Sequence, residues 1–213
     1  MANISFIGGF GITAKAWSKT FGCIHKYSIL HNLVAYTFPS IVLENLESIL
    51  CSDVIVLHSF SSLLFPDILS SSLSALQTII LLEPMLSIAD ASPLLIKICA
   101  SDSSNDTKDI CNYLSRRYSN RVSDGDFCFN DYRNPSVIHA MKYYLDVLAS
   151  GAIISALNAN SSCRHHLLFL SKEPEFDSIK LKTSIVYSRM NSHNPMVDHP
   201  ATLGKLLMTL IEK

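Results

Sequence analysis

A chain of 213 residues, 48% hydrophobic and 16% charged, has the length for one domain, or for a core carrying one inserted subdomain. Its apolar content excludes a wholly disordered chain and its length excludes two large domains. The formal net charge of −1 gives no global attraction to nucleic acid or to an anionic membrane, so neither is expected as a partner, and a charged partner must be recognised through a local patch. Six cysteines, Cys23, Cys51, Cys99, Cys111, Cys128 and Cys163, stand singly, without a CxxC pair or a Cys/His repeat, which argues against structural zinc. The opening segment MANISFIGGFG has no positive n-region and glycines break its apolar run. It does not read as a secretory signal, and reducing cytoplasm is the expected compartment. The most apolar stretch, Thr78–Leu82 with Met85 and Leu86 beyond, is too short and too interrupted to span a bilayer.

In chain order, residues 4–7 form a short apolar run that reads as a buried strand and ends in the glycine-rich turn 8–11. Residues 53–57 and 78–82 repeat the pattern, ending in His58–Ser61 and in Glu83. From 87 to 160 the character changes, with Ser/Asp-rich turns at 100–107 and 123–126 around helical stretches at 108–118 and 135–148. Apolar runs return at 166–170 and 183–187, and Leu203, Leu206, Leu207 and Leu210 then mark an amphipathic closing helix over 201–211. Strands alternating with helices predict an α/β fold with a mainly parallel central sheet flanked by helices. Residues 1–86 and 161–213 are expected to make its core, and 87–160 an inserted helical lid. Sheets of this kind carry their sites at the carboxyl ends of strands.

Residues 54–62, VIVLHSFSS, are a buried strand running straight into Ser59, with small residues after it. A tight strand-to-helix turn of this kind projects a serine hydroxyl clear of the backbone, while the N–H groups of the following helix favour developing negative charge. The usual pattern is G-x-S-x-G; here Leu57 and Ser61 stand at the glycine positions, and taken alone Ser59 also reads as a helix N-cap. The turn Gly8-Gly9-Phe10-Gly11, with Trp17 downstream, suits the second half of an oxyanion hole, which needs two preorganised N–H donors; those of Phe10 and Phe60 are the candidates. The plainer reading is a strand-to-loop turn exploiting positive φ, and a phosphate loop is disfavoured because neither the Walker lysine spacing nor a full G-x-G-x-x-G is present. His193, on the loop after the last predicted strand, is placed to take the proton of Ser59 and return it to a leaving group. His199, just before Pro200, reads as a structural residue at the mouth of the closing helix.

GGFGITAKAW, VLHSFSS and SHNPMVDHPATLGKLL occur in the order and spacing of the α/β-hydrolase superfamily. Together with LDVLASGA at 145–152, they most resemble the pimeloyl-acyl-carrier-protein methyl ester esterases of biotin synthesis. The resemblance implies a serine carboxylesterase with no metal or organic cofactor, in which Ser59 attacks an ester carbonyl, His193 is base and then acid, and a carboxylate orients the imidazole. That acid usually follows the penultimate strand, which points to Glu173, with Glu175 and Asp177 as rivals; Glu83 occupies an alternative position used by some members. The resemblance also implies that lid arginines dock an acidic acyl carrier protein, here Arg116, Arg117 and Arg121, although a solvated helix face is the alternative. Phe127, Tyr143 and Trp17 are candidates for the substrate pocket. The protein is expected to be a monomer. A thioesterase or short-acyl esterase would use the same machinery, and an inactive hydrolase fold serving as a binding module is the reading from a different class.

Overall fold

The segments VIVLH and TIILL each carry four consecutive apolar residues and are buried at every position, as the middle of a parallel sheet requires. The computed structural model describes residues 2–28, 31–38, 44–71, 78–100, 104–159, 163–171 and 184–212. Its six strands are β1 (Asn3–Ile7), β2 (Asn32–Tyr36), β3 (Val54–His58), β4 (Thr78–Leu82), β5 (Arg164–Phe169) and β6 (Ser184–Tyr187). They form one sheet in the order β2-β1-β3-β4-β5-β6, and every neighbouring pair is parallel. The register aligns Ile7 with Leu57, Leu82 with Leu168, and Phe169 with Tyr187, so the carboxyl ends of five strands open along one edge.

β3 and β4 are buried at every position, whereas the outer strands β2 and β6 are largely exposed. β2 is absent from the sequence expectation, although residues 33–36 are a continuous apolar run. As an edge strand it presents Asn32 and Val34 to solvent.

Helices cover the sheet. α1 (Ser18–Tyr27) and the closing helix (Pro200–Ile211) pack on each other with Leu203, Leu207 and Leu210 buried, each worth about 1.5–3 kcal/mol of transfer free energy. The helices approach closely because Gly204 has no side chain: a Cβ there would lie 3.0 Å from the Cβ of Cys23. Pro200 occupies the first turn of the closing helix, where its missing N–H costs nothing. Between β4 and β5 the chain leaves the sheet for a series of helices, the longest being Ser104–Arg117 and Pro135–Ala149. Among the described residues no single helix is long and apolar enough to cross a membrane.

Candidate active site

Ser59 begins a 3-10 turn at the end of β3 with φ of 53°, a left-handed conformation that costs a non-glycine residue about 1–2 kcal/mol. The turn is held shut by Ser61, the residue at the second glycine position. Its hydroxyl accepts the His58 N–H at 2.9 Å and donates toward the Ile7 and His58 carbonyl oxygens, each 3.0 Å from Oγ. Leu57, at the first glycine position, is absorbed by the core with no exposed surface. The close approach that the elbow needs is instead provided across the sheet by Gly9, where a Cβ would meet the His58 carbonyl oxygen and the Ser59 Cβ, both at 2.9 Å.

The Ser59 Oγ lies 2.8 Å from His193 Nε2. His193 reaches it from the loop after β6, which is tied down at several points. Met190 and Asn191 donate their N–H groups to the Leu170 carbonyl at 2.9 and 3.1 Å. Asn191 turns the chain at φ of 51°. The Ser192 hydroxyl donates to Asp198 at 2.6 Å and accepts from the Asn194 N–H at 3.0 Å.

On the far side of the imidazole, His193 Nδ1 is 3.3 Å from Glu83 Oε2. Glu83 is the alternative acid named from the sequence. Glu173, Glu175 and Asp177 lie outside the described residues, and the carboxylate that meets the histidine comes from the end of β4. Glu83 has φ of 49°, and its carboxylate sits against the end of β5: the N–H groups of Leu170 and Ser171 and the hydroxyl of Ser171 all donate to it. Burial pushes the Glu83 carboxyl upward, but the hydrogen bonds from His193, Ser171 and the backbone outweigh it and hold the group below its ordinary range. An ionised Glu83 accepts from Nδ1–H, leaving Nε2 as the lone-pair side facing Ser59.

Two N–H groups beside Ser59, those of Phe10 and Phe60, have no hydrogen-bond acceptor among the described residues. They lie in the two segments that flank the serine, the Gly8–Gly11 turn and the elbow itself. Ser59 and His193 open into a cavity of about 610 Å³, whose other lining includes Phe10, Leu95, Leu114, Phe127, Phe129 and Arg117. Most of these come from the segment between β4 and β5. Among the described residues no group of three or more His, Cys, Asp or Glu side chains is placed to hold a metal ion.

Several expected contacts with a substrate or partner fall elsewhere. Trp17 is fully buried, its ring 5.1 Å from Phe6 and edge-on to His58 at 6.3 Å; it is a core residue beneath the glycine turn, because its position starts a helix that packs on β1. Tyr143 is half exposed and does not line the cavity, its hydroxyl pointing to Asp67 at 3.4 Å. Arg116 is exposed and also stands outside the cavity lining. Arg121 pairs with Asp198 at 2.8 Å and lies over the Phe127 ring at 5.5 Å. It therefore braces the histidine loop against the helical segment. Of the three arginines, only Arg117 reaches the cavity.

The sequence reading assigned no role to His58, Tyr132, Ser171 or Asp198. His58 is buried, and its ring joins two parts of the site: Nδ1 accepts the Gly9 N–H at 3.3 Å and Nε2 donates to the His193 carbonyl at 2.7 Å. Burial, reinforced by repulsion from His193, pushes its pKa down to about 3, so the ring is neutral. Its signal in the sequence was a histidine inside an otherwise apolar strand.

No protein-family model matches the sequence, and no curated protein sequence matches it. Solved structures do. A carboxylesterase from the ammonia-oxidizing thaumarchaeon Nitrososphaera gargenis aligns over 99% of this chain and 90% of its own, with a TM-score of 0.65 at 12% identity. A meta-cleavage product hydrolase from Pseudomonas fluorescens aligns over 100% and 91%, with a TM-score of 0.61 at 14% identity. The thioesterase domain of the curacin biosynthetic pathway aligns over 97% and 91%, with a TM-score of 0.58 at 14% identity. The chain has the α/β-hydrolase fold.

Proposed function

We propose that this protein is a serine hydrolase acting on carboxylic esters, with Ser59 as nucleophile, His193 as general base and acid, and Glu83 as the orienting carboxylate. The observation that carries the reading is the line of contacts Ser59 Oγ to His193 Nε2 at 2.8 Å and His193 Nδ1 to Glu83 at 3.3 Å, at one end of an apolar cavity. In acylation His193 takes the Ser59 proton as Oγ attacks the ester carbonyl, and the oxyanion is received by the N–H groups of Phe10 and Phe60. The tetrahedral intermediate then collapses, the C–O bond to the alcohol breaks, and His193 protonates the departing alkoxide. Water, deprotonated by His193, attacks the acyl-enzyme and releases the carboxylic acid, returning the proton to Ser59.

The finer reading is demethylation of a carrier-protein-bound dicarboxylate methyl ester, as in pimeloyl-acyl-carrier-protein methyl ester cleavage. Its supports are the ordered sequence motifs, the apolar lining of the cavity for an acyl chain, and Arg117 at that cavity, with Arg116 next to it, for an acidic carrier. The six cysteines, all among the described residues, form no disulfide, which suits a reducing compartment. A thioesterase would use the same groups, with a thiolate in place of the alkoxide.

A fluorophosphonate probe tests the core of the reading. Wild-type protein is expected to label at Ser59 and Ser59→Ala to lose labelling and ester turnover, by about four to six orders of magnitude in kcat. Equal labelling of the two proteins overturns the assignment. For the substrate, the protein is expected to restore growth of a biotin-requiring strain lacking its pimeloyl ester esterase; failure of well-expressed protein overturns the methyl ester reading alone.

A further inference from the structure

The glycine turn carries four backbone N–H groups, and the protein uses three itself, the first donating from Gly8 to the Tyr36 carbonyl at 3.2 Å. Gly9 N–H donates to His58 Nδ1 at 3.3 Å. Gly11 N–H donates to the Tyr132 hydroxyl at 2.7 Å, and that hydroxyl donates its own proton to the Phe38 carbonyl at 3.2 Å. Between them the Phe10 N–H has no acceptor among the described residues. Both side chains are almost fully buried, so neither bond is diluted by solvent.

Tyr132 belongs to the segment between β4 and β5, and that segment is stitched along residues 11–13, the end of the glycine turn and the residues after it. Cys128 N–H donates to the Gly11 carbonyl at 2.9 Å, and Thr13 N–H to the Asp126 carbonyl at 3.1 Å. The Thr13 hydroxyl donates to the Gly125 carbonyl at 2.6 Å, and Ile12 and Phe127 form an antiparallel bridge. Gly11 holds φ of 75°, with the Phe129 ring in the space a Cβ would occupy, 2.3 Å away. The Phe10 ring itself rests on Tyr132 at 4.5 Å.

We propose that Tyr132 is a positioning residue for the oxyanion hole: with His58 opposite, it clamps the glycine turn so that the Phe10 N–H faces the reacting carbonyl, and it makes the hole depend on the docked helical segment. This rests on the serine hydrolase reading. A hole of two backbone N–H groups works only if both are fixed before the charge develops, and an N–H displaced by about an ångström loses much of its effect. Tyr132 touches no reacting atom and acts through Gly11.

Tyr132→Phe keeps the ring packing and removes the bond. With p-nitrophenyl butyrate, kcat is expected to fall about 10- to 100-fold with KM within about twofold, and the affinity of a trifluoromethyl ketone, which forms a tetrahedral adduct on serine, to fall by the same factor as kcat/KM. Thr13→Val, a milder cut in the same seam, is expected to lower kcat about two- to fivefold with the same unchanged KM, and decides the matter if Tyr132→Phe does not fold. In parallel, amide hydrogen exchange reads the clamp without catalysis: protection of the Gly11 N–H is expected to be lost in Tyr132→Phe. A folded Tyr132→Phe with wild-type kcat, a rise in KM in place of the fall in kcat, or unchanged Gly11 protection overturns the proposal. If the wild type neither labels with fluorophosphonate nor turns over esters while Gly11 protection still depends on Tyr132, the hydrolase reading falls and the clamp stands.

Discussion

At the strand ends, Ser59, Glu83 and His193 are fixed by short polar contacts to backbone that is itself part of the sheet: Ser61 shuts the elbow, the end of β5 holds the carboxylate, and Leu170 anchors the histidine loop. Across the cavity, the helices between β4 and β5 contribute Leu95, Leu114, Phe127 and Phe129, with Arg117 at the rim. The first region is specified by directional bonds and tolerates no displacement; the second is specified by volume and tolerates any side chain of similar shape. On the proposed hydrolase reading, chemistry and selectivity fall to different parts of the fold, and substitutions on the two sides are expected to have different kinetic signatures.

The largest effect expected on the strand-end side after loss of Ser59 itself is that of Glu83→Gln. The amide would keep the acceptor for Leu170 and Ser171 but turn its NH₂ toward His193 Nδ1, forcing the imidazole into the tautomer whose Nε2 carries a proton. A fall in kcat of about 10⁴ follows, equal for short and long esters. A strong dependence of that loss on chain length, measured over p-nitrophenyl acetate to octanoate, would break the separation.

Next in size is the acid sensitivity built into His58. Its pKa of about 3 in the fold lies below the ordinary 6.5, so the unfolded chain binds a proton that the native state refuses. Stability is then full above about pH 6.5 and falls on acidification toward pH 3, by up to about 1.4 kcal/mol per pH unit. Glu83, held below its ordinary 4.5, adds a second loss in the same direction below that pH. Urea melts of His58→Asn are expected to lose the slope between pH 6.5 and 4.5 and to keep, below pH 4.5, only the part that Glu83 contributes. An unchanged slope would mean that His58 does not carry it.

The smallest effect belongs to the far side of the cavity. Arg117→Ala is expected to raise KM a fewfold for an acyl-carrier-borne ester at low salt, with the difference vanishing near 0.5 M NaCl, and to leave p-nitrophenyl acetate turnover unchanged. An equal effect on both substrates would place Arg117 with the strand-end machinery.

Much of this was legible in the sequence because buried parallel strands advertise themselves. VIVLH and TIILL are mostly apolar runs, and the residue after each stands at the site edge, which is how Ser59 could be named and Glu83 offered as an alternative acid; His193 follows from the loop after the last predicted strand. The acid could not be chosen in that way. Glu83 meets His193 because Leu82 pairs with Leu168 and brings the end of β4 beside the backbone N–H groups of Leu170 and Ser171, and register between strands so far apart in the chain is not written in either segment. Trp17 was misplaced for a related reason: its distance from the glycine turn is visible, but the side of β1 on which it packs is not. Tyr132 lies in a stretch whose helical periodicity has lapsed, so nothing local separates it from its aromatic neighbours.

The left-handed backbone at Ser59 and Glu83 has a thermodynamic consequence. Both positions carry side chains where glycine would be the more comfortable occupant. Drift toward greater thermal robustness would favour glycine there and erase the two functional groups one at a time. The serine and the glutamate stand against the preference of their own backbone, so glycine at either position is expected to raise thermal stability while removing a group of the proposed triad and leaving the sheet, the closing helix and the cavity in place.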